Sequence, residues 1–210
     1  MPRAASIPKL TAVSPVGNGA ETAISYSEPY TAVFTLEGTA DFLFHGWNAE
    51  AIDEKAKAPK GSKAKKTDDP ESFVYRDPKG YLCIPTKNIR KSIIQASKFK
   101  QDPRSPRKCM MDLMIAALIP LEEHCSLGVK DWDYLHKARV VVANGGLTRV
   151  RPAVLAGWKV TCRMTVALPE YVHPQLLNEL IQNAGKLIGV GDDRPTHGRF
   201  LIVRFETSQS

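Results

Sequence analysis

Hydrophobic and polar residues alternate along two segments of the chain, residues 29–37 and 158–166, and this alternation predicts β-strands. In the second segment every other residue from Trp158 to Val166 is hydrophobic. Because successive side chains of a strand point to opposite faces, each segment should turn one face to a core and the other to solvent. A third apolar segment, residues 200–206, is expected to form the last strand of the same antiparallel sheet.

Helical spacing replaces alternation at residues 174–188, where leucine and isoleucine recur with a period near 3.6 and Pro174 stands at the first turn. A second helix is expected after Thr86, with Thr86 as its N-cap and Ile89 and Ile93 on one face. The predicted class is therefore α+β, with an antiparallel sheet, helices on one of its faces and inserted loops.

Two segments lack any such period. Residues 1–28 are rich in Ala, Ser, Pro and Gly and are expected to form an irregular N-terminal arm. Residues 50–71 contain six lysines and few apolar residues, a composition that cannot bury enough surface to offset the entropy of ordering, so a mobile loop is expected. The remaining residues, 29–206, are expected to form a single domain, followed by a short tail at 207–210.

The charge of the chain is concentrated in one segment. The formal net charge is +7 and the pI is about 9.2. Residues 87–108 contain eight basic residues and one acidic residue, Asp102. An excess of positive charge attracts polyanions when folding brings it together, although it can also serve solubility alone or meet an acidic protein.

The cysteines and the hydropathy exclude several classes of protein. The four cysteines have no C-x-x-C spacing and are too few for a disulfide scaffold, so no zinc site, metal or cofactor is expected. The longest apolar stretch, residues 110–121, is too short to cross a bilayer and contains Asp112. With no signal peptide recognised, a cytoplasmic protein is expected.

The loop at residues 189–199 carries the strongest chemical signal. Gly189, Gly191 and Gly198 lie close to Arg194 and Arg199. Glycine permits a positive φ and a close approach of backbone to ligand, free N–H groups in such turns bind anions, and arginine matches a phosphate with two donors. A helix C-cap followed by a tight turn would explain the first glycines without any ligand. The loop lacks the P-loop motif.

The same loop, with the helix before it and the strand after it, resembles the RAMP superfamily, the RNA-recognition-motif-like proteins that include backbone subunits of CRISPR effector complexes. The matching residues are Gly189-Val190-Gly191 and His197-Gly198-Arg199-Phe200. The sequence is also similar to uncharacterised phage and prophage proteins that share the lysine-rich loop. The resemblance is specific over residues 158–206 and implies a ferredoxin-like fold with insertions and an RNA or single-stranded DNA ligand, although the usual aromatic stacking pair is not evident.

These observations together favour a protein that binds the backbone of single-stranded nucleic acid without strong sequence preference. The resemblance implies repeated subunits in a CRISPR-like or phage nucleoprotein complex, with the lysine-rich loop reaching over a neighbour. Stacking is expected of Trp47, Tyr75 or Phe200 if they reach the strand, although each can equally be a core residue. The expected backbone contacts are Lys63, Lys65, Lys66, Lys87, Arg90, Lys91, Arg149, Arg151, Gly189, Gly191, Arg194, Gly198 and Arg199.

Two alternatives remain open. His197 is a candidate catalytic residue, because the resemblance includes endoribonucleases that use a histidine, although no placed partner is visible in the sequence. The second alternative is a structural subunit that docks on an acidic protein. Asp192 and Asp193 are expected to form turn residues or a local ion pair with Arg194 rather than a metal site. The residues favour binding over catalysis, and they leave RNA versus DNA and the stoichiometry open.

Overall fold

The computed structural model describes residues 28–46, 53, 57, 59, 69–142 and 145–209. The predictions for the N-terminal arm and for most of the lysine-rich loop, with Trp47, Lys63, Lys65 and Lys66, lie outside these ranges.

The described residues form nine strands and three α-helices. In chain order these are β1 (Tyr30–Gly38), β2 (Phe42–Leu43), β3 (Cys83–Pro85), α1 (Thr86–Ala96), α2 (Met111–Ala117), β4 (Leu118–Pro120), β5 (His124–Ser126), β6 (Tyr134–Val142), β7 (Gly145–Val154), β8 (Lys159–Val166), α3 (Pro174–Asn183) and β9 (Phe200–Gln209).

The main sheet is antiparallel, with the strand order β4-β8-β1-β9. Its strands and the two longer helices follow one another along the chain as β1, α1, β4, β8, α3 and β9. This is the β-α-β-β-α-β order of ferredoxin-like folds. The predicted α+β class is confirmed, and the three predicted strand segments all lie in this sheet.

The core lies between the main sheet and helices α1 and α3. The inward side chains of β1, from Tyr30 to Leu36, are at most 1% exposed. They meet buried residues of both helices, among them Ile93 of α1 and Leu177 of α3. The Tyr30 hydroxyl donates a hydrogen bond of 2.8 Å to the Val172 carbonyl, so this buried polar group has a partner at the start of α3.

An inserted hairpin, β6–β7, forms a second sheet with β2, in the order β2-β7-β6. Phe42 pairs with Val154 and Leu43 with Ala153, so the segment that follows β1 joins the base of the hairpin. A third sheet pairs β3 with β5. The hairpin is thereby fixed beside the end of β1. The loop at residues 189–199 packs against the same segment.

Local details differ from the sequence expectations at three places. Thr86 is the first residue of α1 and not its cap, because its hydroxyl is buried beside the Cys125 sulfur, 3.1 Å away. The helix predicted at 174–188 is α-helical to Asn183 and ends in a π-turn at Ala184–Ile188. Strand β9 runs to Gln209, so residues predicted as a tail pair with β1. No helix among the described residues is long and apolar enough to cross a membrane.

Asp102 organises the basic loop that follows α1. Its carboxylate, 2% exposed, accepts hydrogen bonds from Arg104 Nε at 2.9 Å, from Arg104 Nη2 at 2.7 Å and from the Arg104 backbone N–H at 2.9 Å. These bonds lower the pKa of Asp102 to about 2, and the bonds from the Arg104 side chain have the largest effect. The one acid of the basic segment thus fixes the shape of its loop.

We predict that Asp102 stabilises the fold in a pH-dependent manner. A carboxyl group whose pKa is lowered by folding stabilises the protein above its unfolded pKa, near 3.8, and this contribution is lost as the pH falls through the folded pKa of about 2. The Asp102→Asn variant should be less stable than the wild type near neutral pH, and the gap should narrow in acid. Urea unfolding over the acid range checks this, and a gap that does not change with pH would contradict it.

We also predict that Gly38→Ala destabilises the junction between β1 and β8. A Cβ atom at position 38 would lie 2.0 Å from Trp158 Nε1. The indole cannot move aside easily, because it is 5% exposed and donates to the Ala40 carbonyl at 2.9 Å. Overpacking of this kind costs roughly 1–3 kcal/mol of unfolding free energy. The neighbouring exposed Thr39→Ala variant is the control, and urea titrations that show equal stability for both variants would refute the prediction.

Candidate nucleic-acid interface

The glycine-rich loop, residues 189–199, is held by its backbone against the segment that follows β1. The Asp192 N–H donates to the Leu43 carbonyl at 3.1 Å and the Gly198 N–H donates to the Asp41 carbonyl at 2.7 Å. Within the loop, the Val190 N–H donates to the Gly198 carbonyl at 2.8 Å. These amides are engaged inside the protein, so the loop presents mainly side chains to a ligand.

Two of the glycines are required by this close contact. Gly198 has φ of +70°, and a Cβ atom there would lie 1.6 Å from the Val190 carbonyl oxygen. Gly191 has φ of +91°, and its Cβ atom would lie 2.8 Å from the Leu43 carbonyl oxygen. An L side chain is strained at such φ values and would also collide with backbone. Both predicted glycines therefore shape the loop.

Asp192 links the loop to the β6–β7 hairpin. Its Oδ2 atom lies 2.5 Å from Arg151 Nε and 3.9 Å from Arg149 Nη1. Partial burial opposes ionisation of this carboxyl, but the Asp193 N–H and the nearby charges of Arg151 and His45 outweigh it and lower the pKa of Asp192. Asp192 was expected to be a turn residue or to pair with Arg194. Its ion pair is instead with the hairpin arginines, because folding brings them closer.

Two histidines meet beside this ion pair. His197 Nδ1 lies 3.0 Å from Asp193 Oδ2, and the His197 ring centroid is 5.0 Å from that of His136. His136 pairs with Arg151 across the hairpin, so their side chains share one face. His136 Nδ1 and Arg151 Nη1 are buried without a hydrogen-bond partner in the described part of the chain. His197 thus has two neighbours, Asp193 and His136, that could take part in acid–base chemistry and that the sequence alone did not identify.

A pocket of about 200 Å³ opens between α1 and the glycine-rich loop, and we call it the loop pocket. Its floor is formed by the segment after β1, where Phe42, Leu43 and Phe44 are at most 2% exposed. Its polar and aromatic residues are His45, Tyr75, Asn88, Lys91, Asp192 and Arg194, and Gly191 completes the lining.

The cations of the loop pocket come from two separate elements. Lys91 on α1 and Arg194 on the glycine-rich loop are exposed, and neither has a carboxylate within 4.0 Å among the described residues. Arg194 Nη1 donates to Gln95 Oε1 at 3.3 Å. Lys87, Lys91 and Gln95 follow at intervals of four along α1 and so lie on one side of the helix. Lys87 is therefore on the helix side that faces Arg194.

The remaining predicted basic residues point elsewhere. Arg90 turns toward α2 and β4, where it donates to the carbonyls of Leu118 at 2.8 Å and Ile115 at 2.6 Å. Arg199 lines a separate hollow beside β9, together with Thr39 and Lys186. The structure thus brings Lys91, Arg194 and Gly191 into one pocket, links Arg149 and Arg151 to it through Asp192, and does not place Arg90 or Arg199 there.

The second half of the basic segment faces α3. Lys100 Nζ lies 2.6 Å from Glu179 Oε1, and the Arg104 guanidinium, held by Asp102, lies 5.7 Å from the Tyr171 ring. The high charge of residues 87–108 is therefore divided between two surfaces, and its first half contributes to the loop pocket.

Of the three aromatic residues expected to stack, Tyr75 reaches the loop pocket and is half-buried there. Phe200 is 2% exposed and belongs to the core. Asn88, His45 and His136 were not among the predicted site residues. The Asn88-x-x-Lys91 spacing, which puts both side chains on one helix face, was an available signal for the first. Nothing local marks His136, because its neighbours come from distant segments.

Comparisons with known proteins identify the fold. No family model and no curated protein matches the sequence. The structure is similar to a chain in the type III-B Cmr-beta complex bound to cognate target RNA, with a TM-score of 0.50 at 6% sequence identity. The match covers 87% of this chain and 61% of that chain. At this identity the likeness establishes a shared fold, so the RAMP resemblance is supported at the level of the fold, and the likeness to phage proteins stays a prediction.

Proposed function

We propose that this chain binds the sugar–phosphate backbone of single-stranded nucleic acid, RNA or DNA, without strong sequence preference. The observation that carries the proposal is the pair of exposed cations at the loop pocket, Lys91 and Arg194, neither of which has a carboxylate within 4.0 Å among the described residues. Unpaired cations in a concave site attract phosphates more strongly than scattered surface charges do. Lysine and arginine contacts to phosphate position a strand but do not read its bases.

The shared fold adds support, because the similar chain belongs to a complex bound to target RNA. We extend the proposal to repeated subunits in a multi-subunit nucleoprotein complex, of CRISPR-like or phage type. The chain spans 61% of the length of the chain it matches, so the arrangement of any neighbours has to be measured on this protein. Lys63, Lys65 and Lys66 of the lysine-rich loop are proposed as further phosphate contacts in that assembly.

We predict that Lys91→Ala/Arg194→Ala weakens binding and flattens its salt dependence. Each phosphate neutralised on a single strand contributes about −0.7 to the slope of log K against log salt concentration. Losing two such contacts should make the slope shallower by about 1.4. Fluorescence anisotropy titrations of single-stranded RNA, single-stranded DNA and duplex over a series of salt concentrations measure this slope and show which polymer is preferred.

The control is Lys159→Ala/Arg204→Ala, which removes the same charge from the outer face of the main sheet, where the two residues pair with Glu37 and Glu206. Its slope should equal that of the wild type. If both double variants change the slope of log K against log salt concentration equally, the affinity for oligonucleotides comes from the net charge of the protein and not from the loop pocket. If the wild type binds no oligonucleotide in a salt-dependent manner, the alternative of a subunit that docks on an acidic protein replaces the proposal.

The paired histidines favour a second candidate function, an endoribonuclease. One imidazole would take the proton of a ribose 2′-hydroxyl, whose oxygen attacks the adjacent phosphorus, and the other imidazole would protonate the leaving 5′ oxygen. The products would be a 2′,3′-cyclic phosphate and a 5′-hydroxyl.

If this candidate is correct, His197→Ala and His136→Ala should each slow RNA cleavage by about 10²–10⁴-fold while binding is preserved. The matched control is His173→Asn, since His173 caps α3 by accepting from the Leu176 N–H, and asparagine can do the same. Gel analysis of labelled RNA and of DNA of the same sequence is the measurement. Cleavage of the DNA, or full activity of His197→Ala, would exclude this mechanism.

A further inference from the structure

The loop pocket offers more than the cations that a phosphate needs. Tyr75 adds a half-buried aromatic ring to its lining. Phe42 and Phe44, whose ring centroids lie 4.7 Å apart, are at most 2% exposed and border the pocket from the core side. Because a phosphate requires only cations, the aromatic ring of Tyr75 in the lining is not explained by backbone binding alone.

The volume of the pocket is suited to one base. An apolar cavity of about 150 Å³ is large enough for benzene. A pocket of about 200 Å³ can therefore hold one planar six-membered ring with room for its polar substituents. It is too small for several stacked bases, so a strand would insert one nucleotide and continue outside.

The polar residues of the pocket fit the edge of a base. The Asn88 side-chain amide can both donate and accept, and the Watson–Crick edge of every base has at least one acceptor and one donor to meet it. Asp192 adds a carboxylate whose pKa is lowered, so it stays an acceptor at neutral pH. Lys91 and Arg194 are exposed, which places them at the rim, where the phosphate of the same nucleotide would lie.

Two glycines allow close packing around the pocket. A Cβ atom at Gly46 would lie 2.7 Å from the Phe73 carbonyl oxygen and 3.2 Å from the Tyr75 ring, so glycine there lets the ring lie close to the segment after β1. A Cβ atom at Gly191 would lie 2.8 Å from the Leu43 carbonyl oxygen, so glycine also lets the loop lie close to that segment.

We propose that the loop pocket receives the base of one nucleotide of the bound strand, with Tyr75 as the stacking surface, Asn88 at the base edge and the phosphate at Lys91 and Arg194. This inference rests on the proposed function and adds a base subsite to a backbone-binding surface. Because every base has an aromatic face and the asparagine amide can both donate and accept, the subsite tolerates any base.

The test compares two single-stranded oligomers of equal length and charge, one with bases and one with abasic residues throughout. Stacking of one base on an aromatic side chain contributes about 1–3 kcal/mol, which corresponds to about a 5- to 150-fold difference in Kd. The wild-type chain should bind the abasic oligomer more weakly by that factor. The slope of log K against log salt concentration should be the same for both oligomers, since their phosphates are the same.

Two variants assign the difference to the pocket. Tyr75→Phe should keep the difference in affinity between the two oligomers, because the ring remains. Tyr75→Leu should reduce this difference, because leucine fills space without an aromatic face. Thermal unfolding of each variant checks that it is folded. If Tyr75→Leu does not fold, Asn88→Ala, which removes the proposed contact to the base edge from the first turn of α1, serves in its place. A ribonucleoside monophosphate should also compete with the oligomer better than ribose 5-phosphate does.

The outcomes separate this inference from the proposed function. Equal affinity of the wild type for both oligomers, with a steep salt dependence, overturns the base subsite and leaves backbone binding in place. A difference that persists unchanged in both Tyr75→Leu and Asn88→Ala also overturns the subsite, since the base would then bind elsewhere. Absence of binding to either oligomer overturns both proposals.

Discussion

The ion pair between Arg151 and Asp192 is the interaction on which the rest of the candidate site depends. Arg151 is 3% exposed, and a buried guanidinium without a counter-charge costs several kcal/mol. Asp192 meets this need from the glycine-rich loop, which is itself hydrogen-bonded to Leu43 after β1. One carboxylate therefore holds the inserted hairpin, the loop and the segment after β1 in a single arrangement. The loop pocket and the histidine pair lie on either side of that junction.

This junction also decides which cations are available to a ligand. Arg151 is paired with Asp192, which also lies 3.9 Å from Arg149, and Arg104 and Lys100 are paired with Asp102 and Glu179. Lys91 and Arg194 are left without such a partner in the described ranges, although Arg194 contacts Gln95. Surface ion pairs contribute little stability, so leaving Lys91 and Arg194 without a carboxylate partner costs the fold little while it preserves the positive potential around them. The net charge of the chain is thus a poor guide to its effective binding charge.

The sequence predicts the fold better than the site because strands and helices follow from local patterns, whereas the site depends on contacts between residues far apart in the sequence. Strands β1 and β8 are specified by local alternation, and the helix from Pro174 by a local period, so each could be assigned without its partner. The site depends on pairs that no local pattern encodes: Arg151 and Asp192 are 41 residues apart, and Arg194 and Gln95 are 99 apart. The nearest opposite charge in sequence, Arg194, was therefore the wrong partner for Asp192. The glycines at 191 and 198 were recognised, because a positive φ is a local property that the residue type itself reports.

The same contrast bears on where the proposed nucleic-acid strand would lie. The outer face of the main sheet carries hydrogen-bonded threonines and ion pairs, such as Thr35 with Thr161 and Glu37 with Lys159, and among the described residues it offers no aromatic ring for a base. The aromatic and cationic groups lie instead at the helix side, where α1, the segment after β1 and the glycine-rich loop converge. A strand bound there would follow the junction of three elements and not the sheet surface. Asp192 positions that junction and also borders the pocket. A change at Asp192 should therefore alter both the affinity for the strand and the order of the hairpin.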